Sequence, residues 1–580
     1  MLACLCLVGV TCCTSATATG PARSSSGARS SSGSPFPSRA QVEALTEGSG
    51  AINPQLMALV DAETWTFTTP AATELRDEPY ASDSSWGRLL AEYVASDPDR
   101  LSATRALDCA AREVASFYLK YSATPAATLR SAILGHCGAL TADAIPTYVF
   151  GAAAPDQTDE MLRYAWQGET RQMLNAPHGG GRLELGLAFA RDDRKGVVVL
   201  VVGVRVAEIE RGPRVVDAKG LLSIRGRLLE PGVRMTALVN QGRFGSAECA
   251  PDPARSLPEF GYTCALGPGD RSAHVVVSAY ESGRILGKNV LDLEAVRGEP
   301  AREYQRLRYT DPAKVREAAE LPARLLAQLN EVRRQAGVGA VTLSKGETET
   351  ATRLAPRYFE SFFDASKQPA ADLISLGLLA GWDIGAGAIR EARIAFALVG
   401  PTDDASQWIS SVMAEPASRS VLTDPSIRVV AFGSFMTPAP PLIGATLTGY
   451  AFFDPADYAA VRKDILGRIT AARAERGLPP PTVLTTLDGD AADLAGQLSQ
   501  GRATPTSALN QLLETGAKVL GRSVRGLALE GNAEAFTVPD EFLSSKQLEL
   551  SVTVTHYQPA DDPWGRYVVL FVMPGEGTRA

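Results

Sequence analysis

The residue types that carry most enzyme chemistry are sparse in this chain of 580 residues. Its four histidines, His136, His178, His274 and His556, are scattered, which counts against a multi-histidine metal centre. His178-Gly179-Gly180-Gly181 has the form of an oxyanion loop, but no G-x-S-x-G nucleophile elbow follows it. It reads as a glycine turn between a helix and a strand. His136-Cys137 invites a thiolate–imidazole pair, since a nearby imidazole lowers a thiol pKa. Adjacent residues on a helix point in different directions, however, and Cys137 has a disulfide partner in prospect. Gly385-Ala386-Gly387 lacks the third glycine and the preceding strand of a dinucleotide loop. The aromatic group Tyr358, Phe359, Phe362 and Phe363 reads first as a core face, and second as the lining of an apolar groove. No cofactor and no metal is expected.

Cysteine placement speaks to the compartment. Cys12 and Cys13 follow the apolar run Met1–Thr11, and a Ser/Gly-rich tract continues to about Ser38. An apolar segment, a cysteine and a flexible linker have the form of an export signal. It is either a lipoprotein signal, with Cys12 or Cys13 as the candidate anchor, or a plain cleaved one. The later cysteines form two local pairs, Cys109 with Cys137 and Cys249 with Cys264. Disulfides in an oxidising compartment fit this usage, whereas a Cys4 zinc site needs closely spaced C-x₂₋₄-C pairs that are absent.

Composition bounds the function classes. Apolar residues are 45% and charged residues 21%, so the chain can bury ordinary globular cores. Lys plus Arg is 57 against 65 Asp plus Glu, a net charge of −8 without long runs. No concentrated basic face is available for phosphate backbones, which excludes a nucleic-acid binder. After the leader no apolar run approaches the length of a membrane-spanning helix.

The elements that would position any site come in related sets. Leu325–Ala355 aligns without a gap on Ile465–Ala495, with Leu326/Leu466, Arg333/Arg473, Gly337/Gly477, Thr342/Thr482, Ala351/Ala491 and Leu354/Leu494 identical. The pattern is an amphipathic helix, a glycine stop, a short connection and a second helix. Glu169–Pro177 lies similarly over Ala417–Pro425, and strand-like sequence follows both. Between these sets, alternating runs such as Leu222–Leu228, Arg234–Val239, Ala273–Tyr280 and Ile285–Leu293 are separated by turn residues. They predict a small β-sandwich enclosing Cys249 and Cys264. The stretch Pro300–Pro322 is charged and reads as helical.

Leu326, Asn330, Arg333 and Gly337, followed by Trp408, Pro416, Arg419, Leu422, Pro425 and Gly433, give a pattern that resembles the CAP superfamily of secreted proteins. The resemblance implies three-layer α/β/α modules and, in family members with chemistry, a tetrad of two His and two Glu around a cleft. Those positions are substituted here. The His of the family's "PxHR" element falls on Ser418, and on Thr170 in the first set, with Arg419 and Arg171 beside them. The Glu that follows the tryptophan falls on Ser411, and Glu391 stands one position out of register with the other. These positions read as a degenerate, non-catalytic cleft.

The expected fold class is therefore α+β, three CAP-like α/β/α modules and a small all-β Ig-like sandwich. The divisions are 1–45 for the signal and linker, 55–212 for module one, 213–300 for the sandwich, 310–450 for module two and 455–580 for module three. The expected function is non-catalytic binding or scaffolding in the cell envelope, in the periplasm, on the outer membrane as a lipoprotein, or outside the cell. The partner would be a protein, glycan or lipid. The rival readings are an envelope-directed hydrolase with a non-standard site and a sterol or fatty-acid carrier. One consequence is immediate: unreduced, denatured protein should show no reactive thiol at Cys109, Cys137, Cys249 or Cys264. Four thiols labelled there would sink the disulfide pairing.

Overall fold

A computed structural model describes residues 16–18, 36–46, 59–60, 62–75, 80, 84–140, 147–153, 167, 182–193, 196–282, 287–362, 365–384, 387–438, 441–531, 536–560 and 562–575. These residues fall into two units. One is built from residues within 1–18, 38–379 and 393–449, the other from residues within 19–37, 380–392 and 450–580.

The first unit opens with an α/β block: α1 (Ser85–Ser96), β1 (Leu101–Ala103), α2 (Arg105–Tyr121), α3 (Ala127–Cys137), β2 (Thr147–Ala153), β3 (Arg182–Arg191) and β4 (Gly196–Arg205). Its sheet runs β1-β3-β4-β2, with β1 parallel to β3 and the rest antiparallel. Strand alternation sends Leu183, Leu185 and Leu187 to α1, and Ala188, Val199 and Val201 to α2 and α3. Helices therefore cover both faces.

A sandwich follows: β5 (Ala207–Ile209), β6 (Leu221–Leu228), β7 (Arg234–Gln241), β8 (Gly245–Glu248), β9 (Ala250–Pro251), β10 (Glu259–Ala265), β11 (Ser272–Tyr280) and β12 (Lys288–Val296). Two four-stranded sheets, β9-β10-β6-β5 and β8-β7-β11-β12, share one apolar core. It begins at β5, ahead of the expected residue 213, because the chain runs from β4 through buried Val206 straight into the new sheet. β10 was not among the expected strands. Residues 300–322 also differ from the helical expectation. Glu303–Gln305 is extended and pairs with Thr64–Thr66, and only the short turn Ala318–Glu320 precedes the next helix. Here pairing with a distant strand outweighs a weak local preference.

The next block has α4 (Leu321–Gln335), β13 (Thr342–Leu343), α5 (Lys345–Glu360), α6 (Gln368–Ala380), β14 (Ile389–Val399), α7 (Ser406–Ala414), α8 (Pro416–Thr423), β15 (Val429–Met436) and β16 (Ile443–Phe452). Its strand order is β13-β15-β16-β14, and Ala16–Ala18 adds at the outer edge of β14. The second unit has α9 (Pro455–Glu475), β17 (Thr482–Val483), α10 (Asp488–Ser499), α11 (Pro505–Leu520), β18 (Val524–Gly531), α12 (Glu541–Ser544), β19 (Glu549–Tyr557) and β20 (Arg566–Pro574). Its order is β17-β19-β20-β18. All three α/β sheets thus follow one scheme: a short parallel strand, its partner, a hairpin return, then the remaining strand. The whole is a mixed helix-and-sheet, α+β protein.

The residues shared between the aligned helices explain themselves. Arg333 is 1% exposed, and its guanidinium donates to the carbonyls of Gly339 at 2.6 Å, Leu422 at 2.9 Å, Asp424 at 3.0 Å and Ile427 at 3.2 Å. Arg473, also buried, does the same for Pro479 at 2.7 Å, Lys546 at 3.3 Å and Phe542. Gly337 and Gly477 stop the two helices at φ 74° and 68°, a left-handed turn that costs glycine little. Each arginine thereby ties the end of its helix to the loop that enters the hairpin.

Both expected disulfides form. Cys109–Cys137 joins α2 to α3, and Cys249–Cys264 closes the point where the chain passes from one sandwich sheet to the other. Each stabilises its fold by roughly 2–4 kcal/mol. They point to an oxidising compartment.

Replacing Arg333 by Met should lower the stability of the first unit by about 3 kcal/mol or more, since four carbonyls lose charged donors in the interior. Arg334→Ala, which removes only an exposed pair with Glu331, should leave the urea midpoint in place. Equal midpoints for the two variants would show that Arg333 does not carry this role.

Candidate functional site

Within the first unit a cavity of about 670 Å³ lies between the opening α/β block and the sandwich. Several elements converge on it. Thr104 caps α2 by accepting from Leu107 N at 3.3 Å, and its own N–H donates to Leu185 O at 3.1 Å, which sets the helix start on β3. Gly186 permits this approach: a Cβ there would stand 2.0 Å from the Leu107 carbonyl carbon. Leu107 then forms part of the apolar wall with Leu140, Ile209 and Val290. Next to it in the chain is buried Asp108, whose pKa burial pushes up to about 6 against the opposing pull of Arg112.

The charged walls come from strand register. Arg182 on β3 and Arg205 on β4 are directly opposite each other. Glu184, 6% exposed, lies on the same face two residues on and pairs with Arg205. Arg182 donates to Pro98 O at 3.0 Å, while its buried Nε has no hydrogen-bond partner among the described residues. Arg227 on β6, also in the lining, sits in register between Glu208 on β5 and Glu259 on β10, 3.8 Å from the Glu259 carboxylate, and all three are exposed. All six side chains line the cavity. With Glu210, which pairs with Arg255 at 2.7 Å, they give the cavity lining charges of both signs.

This site was not among the residues singled out from sequence. A carboxylate inside the apolar run Leu183–Phe189 was the available signal, since Glu184 needs a partner when its neighbours are buried.

The singled-out positions lie elsewhere. Ser411, Ser418 and Arg419 are buried. Arg419 donates to Met413 O at 2.7 Å, to Gly242 O and Gly245 O in the sandwich at 3.1 and 3.2 Å, and to the Tyr309 hydroxyl at 3.0 Å. Trp408 is sealed between β14 and β16, donating to Ala397 O at 3.2 Å and Ala445 O at 3.0 Å. Tyr358 and Phe362 pack on Phe396 and Phe359 on Phe435, as a core face, while Phe363 lies outside the described residues. Glu391 is half-buried on β14, in the part assigned to the second unit. Cys12, Cys13, Thr170, Arg171 and His178 lie outside the described residues.

The three described histidines have separate duties. His136 stacks on Phe67, with ring centroids 3.8 Å apart, and its Nε2 lies 2.9 Å from Thr69 O. The same loop is held by buried Glu113, which accepts from Trp65 Nε1 at 2.9 Å, Thr68 N at 2.7 Å and Thr69 N at 2.6 Å. His556, in the second unit, stacks on Phe453 and bonds Tyr458, and burial lowers its pKa. His274 on β11 pairs with Asp292 and reaches Ala414 O at 3.2 Å, where Asn240 also donates at 2.7 Å. Burial alone would lower its pKa, but Asp292, with Glu415 behind it, holds it at about 9. Among the described residues no group of three or more His, Cys, Asp or Glu is placed to hold a metal ion, and no helix is long and apolar enough to cross a membrane.

By sequence, the chain matches no protein-family model and no curated protein. Among solved structures, it is similar to a cysteine-rich secretory protein from Staphylococcus aureus, at 12% identity and a TM-score of 0.17. That similarity covers 40% of this chain and 83% of the other.

The raised pKa of His274 gives a signed expectation. A pKa above the ordinary 6.5 adds stability that is complete below pH 6.5 and is lost as pH rises through about 9. Chemical denaturation of the full chain from pH 6.5 to 9 should show this loss, up to about 3 kcal/mol. His274→Gln should flatten that window, and an unchanged slope in the variant would refute the assignment.

Proposed function

We propose that this chain is an exported, non-catalytic binding protein of the bacterial cell envelope. In this reading three CAP-like modules and an Ig-like sandwich form its frame, and the cavity beside the sandwich receives the ligand. One observation carries the reading: residues at the family's cleft positions serve as interior struts. Arg419 spends its donors on the sandwich and on Tyr309, a use that occupies the guanidinium and removes it from solvent. Arg214 does the corresponding work on the other side. It is 1% exposed, donates to Ala72 O and His136 O at 3.2 Å, and pairs with Glu294 at 2.9 Å. The sandwich is thus pinned to both neighbouring blocks of the first unit, which suits a scaffold that holds one cleft in fixed shape. Pockets between domains are a common place for ligands. The shared sheet order and the two disulfides agree with a secreted modular protein.

The test is expression of the full chain with its own N-terminus in a bacterium with two membranes, followed by fractionation and intact mass measurement. The expected result is an envelope fraction with both disulfides closed and no turnover of peptidoglycan or peptide substrates. A reduced cytoplasmic product would overturn export. Turnover that is lost in Asp108→Asn would overturn the non-catalytic reading in favour of a hydrolase. An unmodified mature N-terminus would remove the lipid anchor at Cys12 or Cys13.

A further inference from the structure

The sheet of the second unit ends at β18 (Val524–Gly531), which pairs with β20 at every residue. Among the described residues its other edge meets no strand and no backbone partner. Such an edge is a template for another strand, and proteins blunt it with lysine, proline, a bulge or a cover. β18 has no lysine and no proline, and its register runs without a bulge. Leu527 and Leu529 lean on one core of the unit, Val524 and Ala528 on the other, yet no residue of the strand is buried. β14 holds the same place in the preceding sheet. Most of its residues are buried, and Ala16–Ala18 adds along its outer edge.

The sequence of β18 is matched to itself. A twofold axis normal to a sheet joins two identical edge strands antiparallel and sets one residue opposite its own copy. Centred on Ala528, the pairing puts Leu527 opposite Leu529, Gly526 opposite Glu530 and Arg525 opposite Gly531. The leucines then cover each other on one face. Each charged side chain meets a glycine, so no like charges are opposed. Centred on Leu527 instead, Arg525 would stand against Leu529 and Glu530 against Val524, each charge against an apolar side chain. A Leu-Ala-Leu centre with charge and glycine exchanged across it is what an isologous pair requires, and an unrelated strand does not call for it.

We infer that β18 is a self-association edge. Two copies of the chain join antiparallel about Ala528, and their four-stranded sheets become one continuous sheet. The partner is a second copy of this chain, and the main-chain groups along the edge supply the bonds.

Sedimentation equilibrium of the full chain should show a monomer–dimer equilibrium at micromolar concentrations. Leu529→Lys places a lysine on the edge, where its stem can still cover the core. It should weaken association about tenfold or more while keeping the circular dichroism of the parent. Cysteine cross-linking under a mild oxidant reads the register. Ala528→Cys should give a covalent dimer beyond that of the parent chain, because directly opposed residues lie about 4.5–5.5 Å apart, within disulfide reach. Glu530→Cys should not, its two copies being about 13 Å apart along the strands. A chain that stays monomeric at every concentration overturns the inference, as does cross-linking from Glu530→Cys equal to that from Ala528→Cys. A folded Leu529→Lys that associates as tightly as the parent overturns it too. If Leu529→Lys loses the parent's circular dichroism, the two cysteine variants decide.

Discussion

A guanidinium taken out of water must find acceptors for its full set of N–H donors, and in this protein main-chain carbonyls supply most of them. Arg333 and Arg473 gather the loops that enter the hairpins of their blocks, while Arg214 and Arg419 bind separate parts of the first unit together. Carbonyls at loop ends would otherwise be unsatisfied in the interior. The arginines therefore set loop geometry, and loop geometry sets where each sheet begins. Burial depresses the pKa of Arg214, Arg333 and Arg419, which records the cost of desolvation. That cost is offset because each side chain engages several carbonyls at once.

Much of this was readable along the chain. Arg333 and Arg473, each four residues before a glycine, mark a helix end whose side chain turns back onto its own loop. Local cysteine pairs, the alternating runs of the sandwich and the aromatic face of α5 were equally plain, because each depends on neighbours a few residues apart. What was not readable depends on contacts between distant segments. Arg419 looks like a cleft residue until Gly242, Gly245 and Tyr309 are seen around it. Residues 300–322 look helical until Thr64–Thr66 supplies a strand partner. The cavity needs Arg182, Arg205, Glu208, Arg227 and Glu259 together, and no local pattern joins β3 to β10.

The division of labour between polar groups follows from the same physics. Glu113 is wholly enclosed and meets hydroxyl, indole and amide donors, so it acts as a fastener for the 65–69 loop. Glu184 is almost as deeply placed but borders open volume, where it pairs with Arg205. The first arrangement is complete without any visitor. The second faces a cavity.

Both disulfides join cysteines that are consecutive in the folded body, Cys109 to Cys137 and then Cys249 to Cys264. Four cysteines allow three connectivities, and only one of them results from pairing each new thiol with the thiol before it. A chain threaded amino-end first into an oxidising space would close its first bridge before the second pair had arrived. On such a route the order in which the thiols arrive favours the observed pairing.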